Sequence, residues 1–92
     1  MRHKPLDQQV IVVFGASSGI GRATALLAAA RGATVVGAGR DRDALDSLAA
    51  EAPDRITVGV ADAADAKQVA SIAALAVERH GRVRRVVSNL KR

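Results

Sequence analysis

The sequence predicts an α/β protein, part of a doubly wound parallel sheet with the element order β-α-β-α-β-α-β. Three observations predict it. Four short segments rich in Val and Ile alternate with three helix-length segments. The first three apolar segments show no clean in/out alternation, which is how strands look when helices bury both their faces. A glycine-rich stretch, "GASSGIGR" (15–22), leaves the first apolar segment and opens the first helical one, as the connection in a right-handed βαβ unit does.

Each element has its own local reason. Residues 1–8 are expected to form a flexible N-terminus ahead of the first strand, "VIVVF" (10–14). Residues 19–31, "GIGRATALLAAAR", are rich in Ala and Leu and predict a helix, with Gly32 placed where a helix stops. "TVVGA" (34–38) reads as the second strand. Residues 41–51 begin with Asp, set Ala44, Leu45 and Leu48 on one side, and run out before Pro53, which predicts the second helix. "ITVGV" (56–60) is the third strand. In residues 65–80, Asp65 and Gln68 have the spacing of a capping box, with Asp in place of the usual Ser or Thr. Val69, Ile72, Ala73, Ala76 and Val77 then follow at i, i+3, i+4, i+7 and i+8, one apolar stripe of an amphipathic helix. His80 stands just before the Gly81 stop, a place where histidine is expected to meet the helix's last carbonyls rather than to act as a base. "VRRVVS" (83–88) reads as the fourth strand.

Composition narrows the functions open to this chain. Its 92 residues make one domain, and a domain of that size buries roughly 60–65% of the surface its unfolded chain exposes. The absence of cysteine excludes disulfides, thiolate metal sites and thiol catalysis; no metal site is expected. No apolar run has the length of a membrane span and the N-terminus has no signal-peptide core, so a cytoplasmic protein without membrane partners is expected. One Phe, no Tyr and no Trp exclude any mechanism that needs a phenol and any aromatic platform for stacking bases. The net charge of +5 is unevenly placed: residues 79–92 hold six basic residues and no acidic one, whereas residues 1–78 hold eight basic and nine acidic. Such a tail can attract phosphates. It is equally what a solvated helix end and chain terminus look like, and without a recognised motif nucleic acid is not an expected partner.

The glycine loop has a physical task. A turn without side chains lets the backbone approach a dinucleotide pyrophosphate closely, while the free N–H groups and dipole at the helix N-terminus favour its negative charge. The spacing in "GASSGIG" is G-x-x-x-G-x-G rather than the general G-x-G-x-x-G, and glycines in such a turn also serve tight packing. The predicted strand before it and helix after it are the context that dinucleotide binding requires.

The stretch "VVFGASSGIGRATA" (12–25) resembles the cofactor loop of short-chain dehydrogenases/reductases, whose pattern is T-G-x-x-x-G-I-G. The resemblance continues through "RGATVVGAGRDRDALDSLA" (31–49), "VADAAD" (60–65) and "VERHGRVRRVVSN" (77–89), so it covers nearly the whole chain from about residue 10 onward. It implies a Rossmann-like fold with strand order 3-2-1-4. It also implies that Gly15, Ser17, Ser18, Gly19, Ile20 and Gly21 surround the adenosine ribose and pyrophosphate. Asp62 matches the residue that accepts a hydrogen bond from the adenine amino group, with Ala63 beside the ring, and Asn89 matches an asparagine that touches cofactor ribose. Asp62 is otherwise readable as an ordinary loop or helix-cap carboxylate. Phe14 departs from the family's Thr, and the loop loses a hydroxyl that helps fix the turn.

The end of the second strand bears on the choice between cofactors. A carboxylate there accepts from the ribose 2′-hydroxyl and repels a 2′-phosphate, whereas arginine accommodates the phosphate. Gly39 stands where members that prefer NAD have Asp, and Arg40 follows it, so NADP is expected over NAD. Arg40 pairing with Asp41 or Asp43 is the alternative, and Arg22 is a second cation near the loop.

The family's chemistry implies a Tyr-x-x-x-Lys pair with an upstream Ser, all beyond the fourth strand. This chain contains no tyrosine and ends at Arg92; no residue in it is a candidate for catalysis. Where relatives continue as Asn-Ala-Gly, residues 88–92 read "SNLKR", an atypical end of the kind a truncated or frameshifted gene model produces. Two readings follow. The chain is the N-terminal dinucleotide-binding part of an NADP-dependent oxidoreductase acting on a carbonyl or alcohol, inactive by itself. Alternatively, it is a non-catalytic nucleotide- or partner-binding module that uses its basic tail and exposed sheet edge, the edge also being a place for self-association.

Overall fold

A computed structural model describes residues 9–17 and 19–81 and the backbone of residues 85–88. The elements are β1 (Val10–Phe14), α1 (Gly19–Ala30), β2 (Thr34–Gly39), α2 (Arg42–Glu51), β3 (Ile56–Val60), α3 (Ala66–His80) and β4 (Arg85–Ser88). All described strand pairs are parallel and the order across the sheet is β3-β2-β1-β4, the expected Rossmann-like arrangement. The chain runs outward from β1 through β2 to β3, then returns through α3 to the other side of β1. The expected flexible N-terminus at 1–8, the atypical end at 90–92 and the first two positions of the fourth expected strand lie outside the described residues.

Right-handed crossovers that run outward and then back place their helices on opposite faces of a sheet. The side chains divide accordingly. On one face Ile11, Val13, Val35 and Ile56 pack with Ala25, Ala28 and Ala29 of α1 and with Leu45 and Leu48 of α2. On the other, Val12, Phe14, Val36 and Ala38 pack with Ile72 and Ala76 of α3. Both faces of β1 and β2 are thus dry, which is why neither strand alternates in sequence. Phe14, at the place where the resemblance carries a Thr, is 3% exposed and fills the α3 face.

Element ends follow from capping. Asp41 is extended and accepts the Ala44 N–H at 3.1 Å, and α2 therefore starts one residue after it. Asp65 likewise accepts from the N–H groups of Lys67 and Gln68, at 2.9 and 3.3 Å. The reciprocal half of the expected capping box takes another route: Gln68 donates to Asp65 Oδ2 at 3.0 Å and accepts, through Oε1, the Asp62 N–H at 2.8 Å. The Asp65 N–H goes instead to the Asp62 carbonyl at 3.0 Å. At the far end of α3, Gly81 closes the helix with its N–H on the Val77 carbonyl. His80 does not meet the last carbonyls through Nε2, an atom that is buried and has no hydrogen-bond partner among the described residues.

Leu45 and Leu48 are the largest side chains fully sealed in the interior. Leu48→Ala is expected to destabilise the fold by about 2–5 kcal/mol, whereas Leu27→Ala, at a position 56% exposed on α1, is expected to fall within about 0.5 kcal/mol of the parent. Urea unfolding of the two variants measures the contrast, and equal midpoints would mean that α2 does not seal this face.

Candidate cofactor-binding site

Parallel strands end at one edge, so their outgoing loops gather there. Phe14 pairs with Ala38 on one side and Ser88 on the other, and Gly39 pairs with Val60. The loops at 15–17, 40–41 and 61–65 therefore open side by side. The end of β2 binds both neighbours: the Ala38 carbonyl accepts the Ala16 N–H at 2.9 Å, and the Gly39 carbonyl accepts the Ala61 N–H at 2.8 Å. This is the edge at which doubly wound sheets bind their ligands, at the point where strand order reverses.

Within the glycine loop the three glycines have different duties. Gly15 turns the chain out of β1 with φ 74°, in the left-handed region where a side chain is strained. Gly19, the first residue of α1, has φ 61° and open space where a Cβ would stand. That opening lies at a helix start with no acidic residue in its first turn, so no carboxylate of that turn opposes an anion approaching the helix N-terminus. Gly21 is buried, and a Cβ on it would strike the Gly15 carbonyl and lie 3.3 Å from Ala16 Cα. Its duty is internal, seating α1 against the turn. Ile20, beside the opening, is 73% exposed. Ser17 Oγ is buried and has no hydrogen-bond partner among the described residues, an orphaned hydroxyl of the kind that a bound polar ligand satisfies. Ser18 lies outside the described residues.

The remaining expected positions fall around this loop. Gly39 is buried at the end of β2, and Arg40 follows it, exposed. Among the described residues the ion pairs are Arg22–Glu51 and Arg42–Asp46, so Arg40 is not engaged by Asp41 or Asp43. Arg22 turns away from the loop: one guanidinium nitrogen reaches the Ala44 carbonyl at 3.4 Å and another stands 3.8 Å from Glu51. It ties α1 to α2 instead of adding a free cation to the loop. Asp62 Oδ1 accepts the Ala64 N–H at 2.9 Å in an Asx turn, the loop-carboxylate role, and this leaves Oδ2 without a partner among the described residues. Ala63 is half-buried against the α3-side core. Asn89 directly follows Ser88, the β4 partner of Phe14, and lies outside the described residues.

Two contributors were not singled out from the sequence. Gln68 anchors the Asp62 loop through the Asp62 N–H; its spacing from Asp65 was visible, its true partner was not. Ala16 packs against β2 so closely that a Cβ on Gly37 would stand 3.2 Å from its own, and no local pattern reports that contact. The groups present fit a dinucleotide: an anion-ready helix start, an orphaned loop hydroxyl, an unengaged arginine and a free carboxylate oxygen at one edge.

Comparison with known proteins agrees with this geometry. The family model described as short chain dehydrogenase matches residues 9–90. The 3-oxoacyl-[acyl-carrier-protein] reductase FabG of Thermotoga maritima is 37% identical over 87 residues, covering 91% of this chain and 35% of that protein. A short-chain dehydrogenase from Streptomyces avermitilis superposes with a TM-score of 0.83 at 44% identity, over 91% of this chain and 31% of its own. An NADPH-bound short chain oxidoreductase from Pseudomonas aeruginosa PAO1, with an atypical catalytic center, gives a TM-score of 0.85 at 34% identity, over 98% of this chain and 37% of its own. The chain thus spans about a third of the length of these relatives. Among the described residues no helix is long and apolar enough to cross a membrane.

The different duties of the glycines are separable by substitution. Gly21→Ala is expected to destabilise the fold by more than Gly19→Ala, which costs about 1–2 kcal/mol for its left-handed backbone alone. Thermal unfolding of both variants checks the order, and a milder effect at Gly21 would show that α1 moves away from the turn at little cost.

Proposed function

The chain belongs to the short-chain dehydrogenase family, and from that premise we propose that it is the N-terminal dinucleotide-binding part of an NADP-dependent oxidoreductase acting on a carbonyl or alcohol. The observation that carries the cofactor preference is the end of β2, where Gly39 removes the carboxylate that reads a ribose 2′-hydroxyl and an unengaged Arg40 follows. An arginine offers a phosphate two parallel charge-assisted hydrogen bonds. The NADPH carried by the Pseudomonas aeruginosa relative supports the same cofactor class on this architecture.

In this reading Gly15, Ser17, Ser18, Gly19, Ile20 and Gly21 enclose the adenosine ribose and pyrophosphate, with Gly21 acting through the turn it seats. Arg40 holds the 2′-phosphate. Asp62 accepts from the adenine amino group through the oxygen left over from its Asx turn, Ala63 lies beside the ring, and Asn89 meets ribose. When bound, a nicotinamide cofactor supplies the hydride chemistry. Proton transfer to or from the substrate oxygen needs a positioned acid or base, and with no tyrosine in the sequence the chain is inactive by itself.

NADPH is expected to raise the thermal midpoint of the chain, as any ligand that binds only the folded form does, and NADH is expected to raise it less. Arg40→Ala should weaken NADPH by about tenfold to a hundredfold and leave NADH unchanged, the range given by a hydrogen bond to a charged group. Equal shifts from both dinucleotides would overturn the NADP preference. No shift from either, with the chain folded by circular dichroism, would overturn dinucleotide binding.

A further inference from the structure

Ser17 and Gly39 compete for one small volume. A Cβ on Gly39 would collide with Ser17 Oγ and would stand 3.3 Å from both Ser17 Cβ and Ser17 N. The loop cannot simply withdraw, because the neighbouring Ala16 N–H is held on the Ala38 carbonyl at 2.9 Å and Ala16 itself is fully buried. Ser17 has no left-handed backbone to relax, so the freedom left to it is rotation of the hydroxyl. That hydroxyl is already buried without a partner among the described residues, and a buried hydroxyl without a partner is a standing cost until an arriving polar group satisfies it.

Two ways of reading the adenosine ribose therefore compete for one volume here. One uses a carboxylate rooted at the end of β2. The other uses a hydroxyl from the glycine loop, standing where that carboxylate's side chain would have to begin. We propose that Ser17 is a specificity-determining residue: with Gly39 it forms a steric pair that bars carboxylate recognition of the 2′-hydroxyl, so cofactor preference in this chain is a property of both positions and not of position 39 alone. This rests on the dinucleotide reading above. An acidic residue at 39 can serve NAD only once the Ser17 hydroxyl has rotated aside or been removed, while Ala at 17 leaves a Cβ contact that a shift of a few tenths of an ångström relieves.

A cycle of Gly39→Ala, Ser17→Ala and the double variant tests the pair without any ligand. Gly39→Ala is expected to lower the thermal midpoint by about 5 °C, a shift typical of one such defect in a domain of this size, and by less than half as much in the Ser17→Ala background. A second series, Gly39→Asp with and without Ser17→Ala, is titrated with NADPH and NADH by calorimetry. Gly39→Asp alone should lose NADPH and gain little NADH, and the double variant should bind NADH at least about tenfold more tightly than Gly39→Asp alone. Additive midpoints in the ligand-free cycle would overturn the steric pair even if the parent binds NADPH. Coupled midpoints with equal NADH affinity in Gly39→Asp and the double variant would overturn its role in preference. A folded parent that binds neither dinucleotide would overturn the reading underneath, and with it this one, while the ligand-free cycle would still report whether the two positions collide.

Discussion

The arrangement of this molecule depends on how tightly residues 15–17 are enclosed. Three backbone positions without side chains wall them in: Gly21 from α1 against Gly15, Gly37 from the middle of β2 against Ala16, and Gly39 from the end of β2 against Ser17. Interiors are packed at crystal-like density, so a methyl group at any of these points has to displace something. With the side chains absent, the turn packs closely against β2 and against the start of α1. Ser17 and the start of α1 take their positions from that fit.

Charge is arranged around the same feature with economy. The first turn of α1 carries no carboxylate. Its one arginine in that region is drawn off to Glu51 and the Ala44 carbonyl, which stiffens the α1–α2 pair and leaves Arg40 as the exposed cation beside the loop. Asp41 caps α2 through Oδ1, and among the described residues it forms no ion pair with Arg40.

Much of the fold was legible in the sequence because its signals are local. β1 and β3 occupy the residues expected, and both capped helices begin one position after the aspartates that mark them. The strand order followed from parallel connectivity and from the resemblance carried by the glycine loop. What was not legible is non-local. The contact between Ser17 and Gly39 joins residues of different elements, and nothing in the spacing of either segment announces it. Gly21 is expected at the cofactor, and its motif gave no sign that a Cβ there would also strike Gly15. Gln68 showed the right spacing for a capping box, yet the nearby Asp62 N–H took its side-chain oxygen. His80 carried an expectation drawn from helix ends in general, and its Nε2 finds no partner among the described residues.

The division of the interior into two separate cores has a consequence for how the chain is assembled during synthesis. The core against α1 and α2 draws its buried residues from Ile11 to Ile56, whereas the core against α3 needs Ile72 and Ala76 as well. Chains emerge from the ribosome N-terminus first and fold as units become complete. All the buried residues of the first core therefore emerge before those of α3, and α3 completes the opposite face of β1 and β2 last. The glycine loop belongs to the part completed first, since Gly15, Gly21 and Gly39 all precede β3. The anion-ready end of α1 therefore depends on contacts whose residues all leave the ribosome ahead of α3.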